Sequence, residues 1–280
     1  MKILDDDEKT GILWNQNAEA WTILSRKGYD IYRDYLNTPT FLSMLPNVLN
    51  LKGLDIGCGE GHNTRLLAKR GAFMTGIDIS DVFIEHAQQM EFKEPLGIDY
   101  RVASVHTLPF ENSHFDFVTA FMSMMDIPSL SKAVAEVHRV LKVGGFFQFS
   151  ITHPVTNSPV HKTIKKGAEG KDVLLISDYF HENDVFGPVE EWIFSATPAD
   201  ERARFSRFKV PRFHRTLSTW VNTLVDHGFA ILRFTEPVAS DEQVASCKLH
   251  DIGDTRIAPY FLHVLCTKQQ NPKIIQLATK

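Results

Sequence analysis

The chain has 280 residues, of which 43% are hydrophobic and 23% charged, and its formal net charge is −4 at pH 7. This length and apolar content suffice for one large domain with a packed core, whereas the charge disfavours nucleic acid as a partner, since binding its backbone requires a clustered basic surface. No run of apolar residues approaches the roughly 18 that a membrane-spanning helix needs, and the first residues lack the apolar segment of an export signal. The three cysteines are widely spaced, which indicates neither a disulfide framework nor a zinc site. These features favour a cytoplasmic protein without membrane attachment.

Residues 1–45 carry apolar side chains at helical spacing ahead of the first predicted strand. Trp14 and Trp21 lie two helical turns apart, and a second apolar pattern follows between residues 32 and 45. We expect this segment to form a helical lid, in which Trp14, Trp21 and Arg33 close over a bound ligand.

The most informative segment is residues 54–61, which read LDIGCGEG between an apolar run and a helical pattern. Alternating glycines permit a tight turn with positive φ angles and leave the backbone open to a ligand. The helical pattern over residues 62–70 places a helix N-terminus, with its free N–H groups, directly after the turn. Asp78 ends the next strand pattern, about 20 residues past the first glycine, where an acidic side chain can bind ribose hydroxyls.

Two classes of cofactor use such a strand, turn and helix. A dinucleotide site reads G-x-G-x-x-G, with a third glycine beside the pyrophosphate, but His62 occupies that position here and is expected only to begin the helix. The glycines instead run G-C-G-E-G, with Asp55 two residues before the first. This pattern resembles motif I of the class I S-adenosylmethionine-dependent methyltransferases, in particular the small-molecule enzymes of the methyltransferase type 11 kind. An acidic strand end also suits the cationic ammonium of that cofactor better than it suits two phosphates.

The resemblance covers residues 14–152 closely and the remainder loosely, and it implies a set of cofactor-binding residues. These are Asp55, Gly57, Cys58, Gly59, Asp78, Ile79, Ser104, Val105 and Phe121. Asp78 would hold the ribose, Ser104 would meet the adenine edge, and Phe121 with Met122 would cover the adenosyl group or simply pack in the core. For Asp55 two roles stay open, contact with the methionine ammonium or organisation of the glycine turn alone. Cys58 is expected to be a small filler.

Strand and helix patterns alternate through the middle of the chain. Strands are predicted over residues 51–56, 72–78, 98–102, 115–120 and 146–151, and a helix over 134–142. Alternation predicts a parallel sheet with right-handed crossovers and a ligand crevice at the carboxyl ends of the strands. A helix over 217–225 and two antiparallel edge strands over 229–234 and 259–267 follow. The resemblance implies an α/β, Rossmann-like fold, with a seven-stranded, mostly parallel sheet and helices on both faces.

These patterns divide the chain into five predicted parts. They are the lid (residues 1–45), a cofactor-binding core (46–152), an inserted substrate cap (153–215), the C-terminal part of the core (216–268) and a tail (269–280). The cap lacks clean periodicity but is rich in aromatic residues such as Phe186 and Trp192, as expected for a long segment that covers a partly apolar small molecule. The basic run over residues 162–171 is expected to be a solvated loop.

Methyl transfer from a sulfonium is an in-line displacement, so a water-poor pocket that aligns the two reactants can supply most of the rate. A general base is optional, and the candidates are His153, after the fifth strand pattern, and His214, before the helix over 217–225. Each has the alternative of being a structural or surface histidine. Residues 120–123 read AFMS and lack the proline pair that is typical of enzymes that methylate exocyclic amines. Methylation of cytosine at C5 requires a cysteine that follows a proline, and none of the three cysteines does. No clustered metal ligands are evident, so no metal is expected.

The sequence therefore favours an enzyme that transfers a methyl group from S-adenosylmethionine to an O, N or C nucleophile of a small molecule, with S-adenosylhomocysteine as product. Two alternatives stay open at this point. One is an NAD-type oxidoreductase on a related fold, which the missing third glycine disfavours. The other is a catalytically silent protein that only binds the cofactor.

Overall fold

The computed structural model describes residues 4–158, 163–166, 170 and 172–270. Its strands are β1 (Lys52–Ile56), β2 (Phe73–Asp78), β3 (Asp99–Val102), β4 (Phe115–Phe121), β5 (Leu141–Thr152), β6 (Thr163–Lys166), β7 (Asp172–Leu175), β8 (Val189–Trp192), β9 (Phe208–Pro211), β10 (Phe229–Thr235) and β11 (Phe261–Lys268). Its helices are α1 (Asp6–Arg26), α2 (Thr38–Met44), α3 (His62–Ala68), α4 (Asp81–Lys93), α5 (Leu130–Val140), α6 (Ala199–Arg202), α7 (Leu217–Asp226) and α8 (Asp241–Ser246). A π-helical turn, Arg33–Asn37, precedes α2.

A seven-stranded sheet forms the centre of the molecule, in the order β10-β11-β5-β4-β1-β2-β3. The strands from β3 to β5 are parallel, and β11 is antiparallel to both of its neighbours. The order reverses between β1 and β4, where crossovers lead to opposite faces and leave a crevice at the strand ends. The predicted fold class, an α/β Rossmann-like sheet with seven mostly parallel strands, is confirmed.

Helices cover both faces of this sheet. On one face α5 and α7 pack on β5 and β10 through residues that include Val137 and Trp220. On the other face α4 packs on β2 and β3 through residues that include Ala87. Each face of the sheet therefore has its own hydrophobic core. Neighbouring residues of β4 point to opposite faces, so Val118 packs in the core beneath α5 and α7 and Phe117 packs in the core beneath α4. Burial of both faces explains why the central strands are almost continuously apolar.

Helix α1 begins at a capping box. Asp5 Oδ1 accepts a hydrogen bond from the Glu8 N–H at 2.8 Å, and Glu8 Oε2 accepts one from the Asp5 N–H at 3.1 Å. Such a cap stabilises a helix start by roughly 0.5–2 kcal/mol. The helix then packs against α4 of the core and against β9. None of the helices among the described residues is long and apolar enough to cross a membrane.

Two antiparallel hairpins, β6–β7 and β8–β9, follow β5 and precede α7. Each of their strands has four residues, too few for an alternating pattern to stand out in the sequence. Helix α8, between β10 and β11, was not predicted either, although it begins at a second capping box. The prediction of a loop for the basic run over residues 162–171 was wrong in part, because residues 163–166 form β6. Residues 162, 167–169 and 171 of that run lie outside the described residues, as does the predicted tail from residue 271 onward.

The bounds of one helix in the core and the start of the strand that follows it were predicted wrongly. The helix predicted over 134–142 begins at Leu130 and ends at Val140, and β5 starts at Leu141 instead of residue 146. Leu141 pairs with Phe115 of β4, while residues 142–145 lie opposite the single residue Asp116 before regular pairing resumes. The strand therefore contains an irregularity that the sequence pattern presents as a turn.

Candidate functional site

A cavity of about 850 Å³ lies at the carboxyl ends of the parallel strands, between α1 and the β8–β9 hairpin. Its volume is in the upper part of the range of small-molecule sites, roughly 300–1,000 Å³. Every predicted cofactor-binding residue lines it, namely Asp55, Gly57, Cys58, Gly59, Asp78, Ile79, Ser104, Val105 and Phe121. The structure thus brings the whole predicted set to one cavity.

The glycine turn after β1 forms the floor of this cavity. A Cβ on Gly57 would stand 2.4 Å from the Ser123 Cβ, so the close approach of β1 and the loop after β4 requires glycine there. A Cβ on Gly59 would meet nothing within 4 Å, although its φ of +54° is strained for other residues. The Cys58 N–H donates to the Ile77 carbonyl at 2.9 Å and fastens the turn to β2, while burial raises the pKa of the Cys58 thiol. The turn is therefore rigid and presents bare backbone to a ligand.

Asp78, at the end of β2, joins the glycine turn to the next helix. Its Oδ2 accepts a hydrogen bond from the Gly59 N–H and its Oδ1 one from the Ser80 N–H, each at 2.9 Å. Burial raises the pKa of Asp78 to about 6, although the backbone amides of Ser80, Gly59 and Ile79 act in the opposite direction. Each carboxylate oxygen has a second lone pair, so the side chain is oriented and can still accept hydrogen bonds from a diol.

Asp55 lies deeper than Asp78. Its Oδ2 accepts a hydrogen bond from the Thr64 hydroxyl at 2.6 Å and its Oδ1 one from the Thr119 hydroxyl at 2.9 Å. The residue is 1% exposed, and burial raises its pKa to about 6. These bonds tie the glycine turn to α3 and β4, while each oxygen keeps a second lone pair, as in Asp78, so both predicted roles of Asp55 stay open.

Ser104 and Val105 follow β3 at the far end of the cavity. The Ser104 hydroxyl donates to Asp7 Oδ2 at 2.5 Å and accepts a hydrogen bond from the His106 N–H at 3.1 Å. Asp7 belongs to α1, lines the cavity and was not predicted as a site residue. Helix α1 thus contributes a carboxylate, that of Asp7, to the end of the cavity near β3.

The three residues expected to close over a ligand also line the cavity. Trp21 packs on Trp192 and Phe194 of the opposite wall, with ring centroids 5.4 and 4.9 Å apart. The Arg33 guanidinium donates to Asp34 Oδ1 at 2.7 Å. Trp14 lies near the core helix α4, its ring 6.3 Å from that of Phe83.

Neither candidate histidine is among the described residues that line the cavity. His153 Nδ1 accepts a hydrogen bond from the Val155 N–H at 3.2 Å, and its Nε2 lies 3.0 Å from Glu236 Oε1. Burial lowers its pKa despite the attraction of Glu236. His214 Nε2 bonds the Tyr179 carbonyl at 2.7 Å. Both rings are buried and held by contacts outside the cavity, which indicates structural roles.

Asp126 is a cavity residue that the sequence analysis missed. It lies in a short helical turn after β4 and is half-buried, and within the described residues its carboxyl forms no hydrogen bond. Burial raises the pKa of Asp126 to about 8, although Arg212 and Arg215 oppose this and Glu190 adds to it. Arg215 also donates to the Ile127 carbonyl at 2.5 Å and holds this loop in place. The available sequence signal was an acidic residue shortly after a buried strand, at the edge where the crevice was expected.

The comparisons with known proteins agree with this geometry. The family model described as a methyltransferase domain matches residues 54–149. An uncharacterized protein of Haemophilus influenzae is 30% identical over 218 residues, which cover 75% of this chain and 79% of that protein. A ubiquinone biosynthesis O-methyltransferase of Coxiella burnetii is 30% identical over 119 residues, or 41% of this chain and 51% of that enzyme.

Among solved structures, the S-adenosylmethionine-dependent methyltransferase from Mesorhizobium loti superimposes with a TM-score of 0.67 at 27% sequence identity. The match covers 82% of this chain and 96% of that one. The predicted activity, methyl transfer from S-adenosylmethionine, is confirmed. This chain belongs to the S-adenosylmethionine-dependent methyltransferases.

Proposed function

We propose that the chain methylates a small molecule held between α1, the β8–β9 hairpin and the carboxyl edge of the sheet. One observation carries this proposal. A continuous cavity joins the glycine turn and Asp78 to a wall that contains Trp192, Arg212 and Asp126. The first part suits a nucleoside cofactor and the second suits an acceptor with both apolar and polar groups.

The cofactor part fits S-adenosylmethionine, which when bound supplies a methyl group activated by its sulfonium. Asp78 would hold the ribose hydroxyls with the lone pairs that the two amides leave free, and Gly59 would let the amino-acid end approach the backbone. Ile79, Val105 and Phe121 would form apolar walls. Contact between Asp55 and the methionine ammonium stays a prediction.

We assign residues 1–45 as a lid and residues 153–215 as a substrate cap. The two are joined directly, because Asn17 Nδ2 donates to the Lys209 carbonyl at 2.9 Å and the Lys209 N–H donates to Asn17 Oδ1 at 2.8 Å. Such a paired amide contact favours an enclosed, water-poor chamber, where alignment of two reactants is most effective.

Asp126, in place of His153 and His214, is the group that we propose to accept the proton lost by the acceptor. It faces the cavity, and a carboxyl that titrates near neutral pH is suited to proton transfer. Arg212 stands beside it and would stabilise its ionised form.

A cytoplasmic location and an acceptor other than nucleic acid complete the proposal. Support comes from Cys58, Cys247 and Cys266, which are buried free thiols, and from the net charge of −4.

Calorimetric titrations with S-adenosylhomocysteine and with NAD test the cofactor assignment. We expect micromolar binding of S-adenosylhomocysteine and no binding of NAD, and tighter binding of NAD would overturn the proposal. Formation of S-adenosylhomocysteine from S-adenosylmethionine with a panel of metabolites then tests for turnover. Cofactor binding without turnover across a wide panel would favour a silent binding protein.

A further inference from the structure

The first turns of α1 lie directly over two strand ends of the cofactor part. A Cβ on Gly11 would stand 3.4 Å from Ile79 Cγ1, so α1 packs closely on the residue after β2. One turn earlier in α1, the Asp7 carboxylate accepts a hydrogen bond from the Ser104 hydroxyl, and its Oδ1 lies 2.7 Å from His106 Nδ1. Ser104 and His106 both follow β3. In the proposed function, the adenosine lies across these two strand ends.

Thr10 stands between these contacts and has an unexplained hydroxyl. The residue is 3% exposed and lines the cavity, and its Oγ1 has no hydrogen-bond partner among the described residues. A threonine in a helix often bonds the carbonyl one turn before it, but this one does not. Buried hydroxyls are nearly always paired. The Thr10 oxygen itself has almost no exposed surface, so a ligand becomes its partner when the threonine side chain rotates toward the cavity that the residue lines.

Asp7 provides an acceptor beside this hydroxyl. Burial opposes ionisation, but hydrogen bonds from His106 and Ser104 keep the pKa of Asp7 below its ordinary value. An ionised carboxylate is an acceptor only, with about four lone-pair positions, and its two protein partners leave room for one more donor. The Ser104 hydroxyl, in contrast, has its proton committed to Asp7.

We propose that the first turns of α1 read the nucleobase of the cofactor, with Asp7 accepting a hydrogen bond from the 6-amino group of adenine and Thr10 donating one to the adjacent ring nitrogen. The inference rests on the proposed function and names the residues that give this site its base specificity. It also makes closure of the N-terminal helix part of cofactor recognition, because both groups belong to α1.

S-adenosylhomocysteine and S-inosylhomocysteine distinguish this arrangement, because hypoxanthine has an oxygen in place of the amino group and a proton on the ring nitrogen. We expect the wild-type protein to bind the adenosyl compound at least about tenfold more tightly in calorimetric titrations. In Asp7→Asn the side-chain amide can donate to that oxygen, so the ratio should fall to within about threefold. Asp6→Asn is the matched control, since Asp6 carries the same charge in the same turn and is not among the residues described as lining the cavity.

Thr10→Val provides a second test that does not depend on the stability of Asp7 variants. The lost hydroxyl has no partner among the described residues, so thermal stability should be retained while affinity for S-adenosylhomocysteine falls about tenfold. Thr22→Val is its control, because Thr22 is also buried in α1 with an unpaired hydroxyl but is not among the described lining residues.

Wild-type affinity of Thr10→Val, or an unchanged ratio in Asp7→Asn, overturns the inference alone. If the wild-type protein binds neither compound, the proposed function fails as well.

Discussion

Replacement of Asp126 by asparagine should stabilise the protein, and increasingly so as the pH rises from about 5 to about 8. The carboxyl of Asp126 faces the cavity, and burial raises its pKa from 3.8 to about 8. Between these values the unfolded chain loses the proton while the folded protein keeps it. Folding therefore becomes less favourable with rising pH, and the loss is complete above the folded pKa.

The expected change in the free energy of unfolding follows from the difference between the ordinary and the raised pKa of Asp126. From 3.8 to pH 7 an ideal buried carboxyl would lose about 4 kcal/mol of stability, at 1.36 kcal/mol per pH unit. Asp126 is only half-buried and faces a cavity that admits water, so about 1–2 kcal/mol is the expected gain of the asparagine variant at pH 7. Arg212 and Arg215 act against the shift and are unchanged in the variant.

Urea unfolding of both proteins at intervals from pH 5 to pH 9 measures this difference. Asp55 and Asp78 titrate near pH 6 in both proteins, so their contributions cancel. A difference that stays constant across the range would show that Asp126 ionises normally and would remove the basis for its role as a base. If it is the base, the variant should also lose roughly 10²–10⁴-fold in methylation rate once an acceptor is known.

Three further substitutions test other parts of the site. Asp78→Ala should weaken binding of S-adenosylhomocysteine by about 100-fold or more, because two hydrogen bonds of roughly 1.5–3 kcal/mol each to the ribose are lost; unchanged affinity in calorimetry would mean that another group holds the ribose. Gly57→Ala should lower the melting temperature, because its Cβ would stand 2.4 Å from that of Ser123, and a melting temperature equal to that of the wild type would contradict the close packing. His153→Ala should leave the pH profile of methylation unchanged while reducing stability, because its ring bonds Val155 and Glu236 outside the cavity; a profile that loses an ionisation would restore it as a base.

Much of the cofactor part was predictable because its signals are local. The glycines of residues 57–61 impose a turn by their own conformational freedom, and Asp78 stands at a fixed distance from that turn in any strand–helix–strand unit. Short apolar runs specified most strands of the sheet, and the alternation of strands with helices specified that neighbouring strands are parallel. His153 was placed correctly at the carboxyl end of β5, but an edge position does not fix the direction of a side chain.

The sequence by itself determined the α/β fold, the glycine turn and the place of Asp78 beside that turn, since each depends on residues close together in the chain. Only the tertiary structure decided which polar groups meet in the cavity. Asp7 reaches Ser104 across 97 residues of sequence, and the pKa of Asp126 is raised by burial against the opposing charge of Arg212 and Arg215, which are more than 80 residues away. Burial and unsatisfied hydrogen bonds are properties of packed neighbours, and no spacing pattern within one segment encodes them.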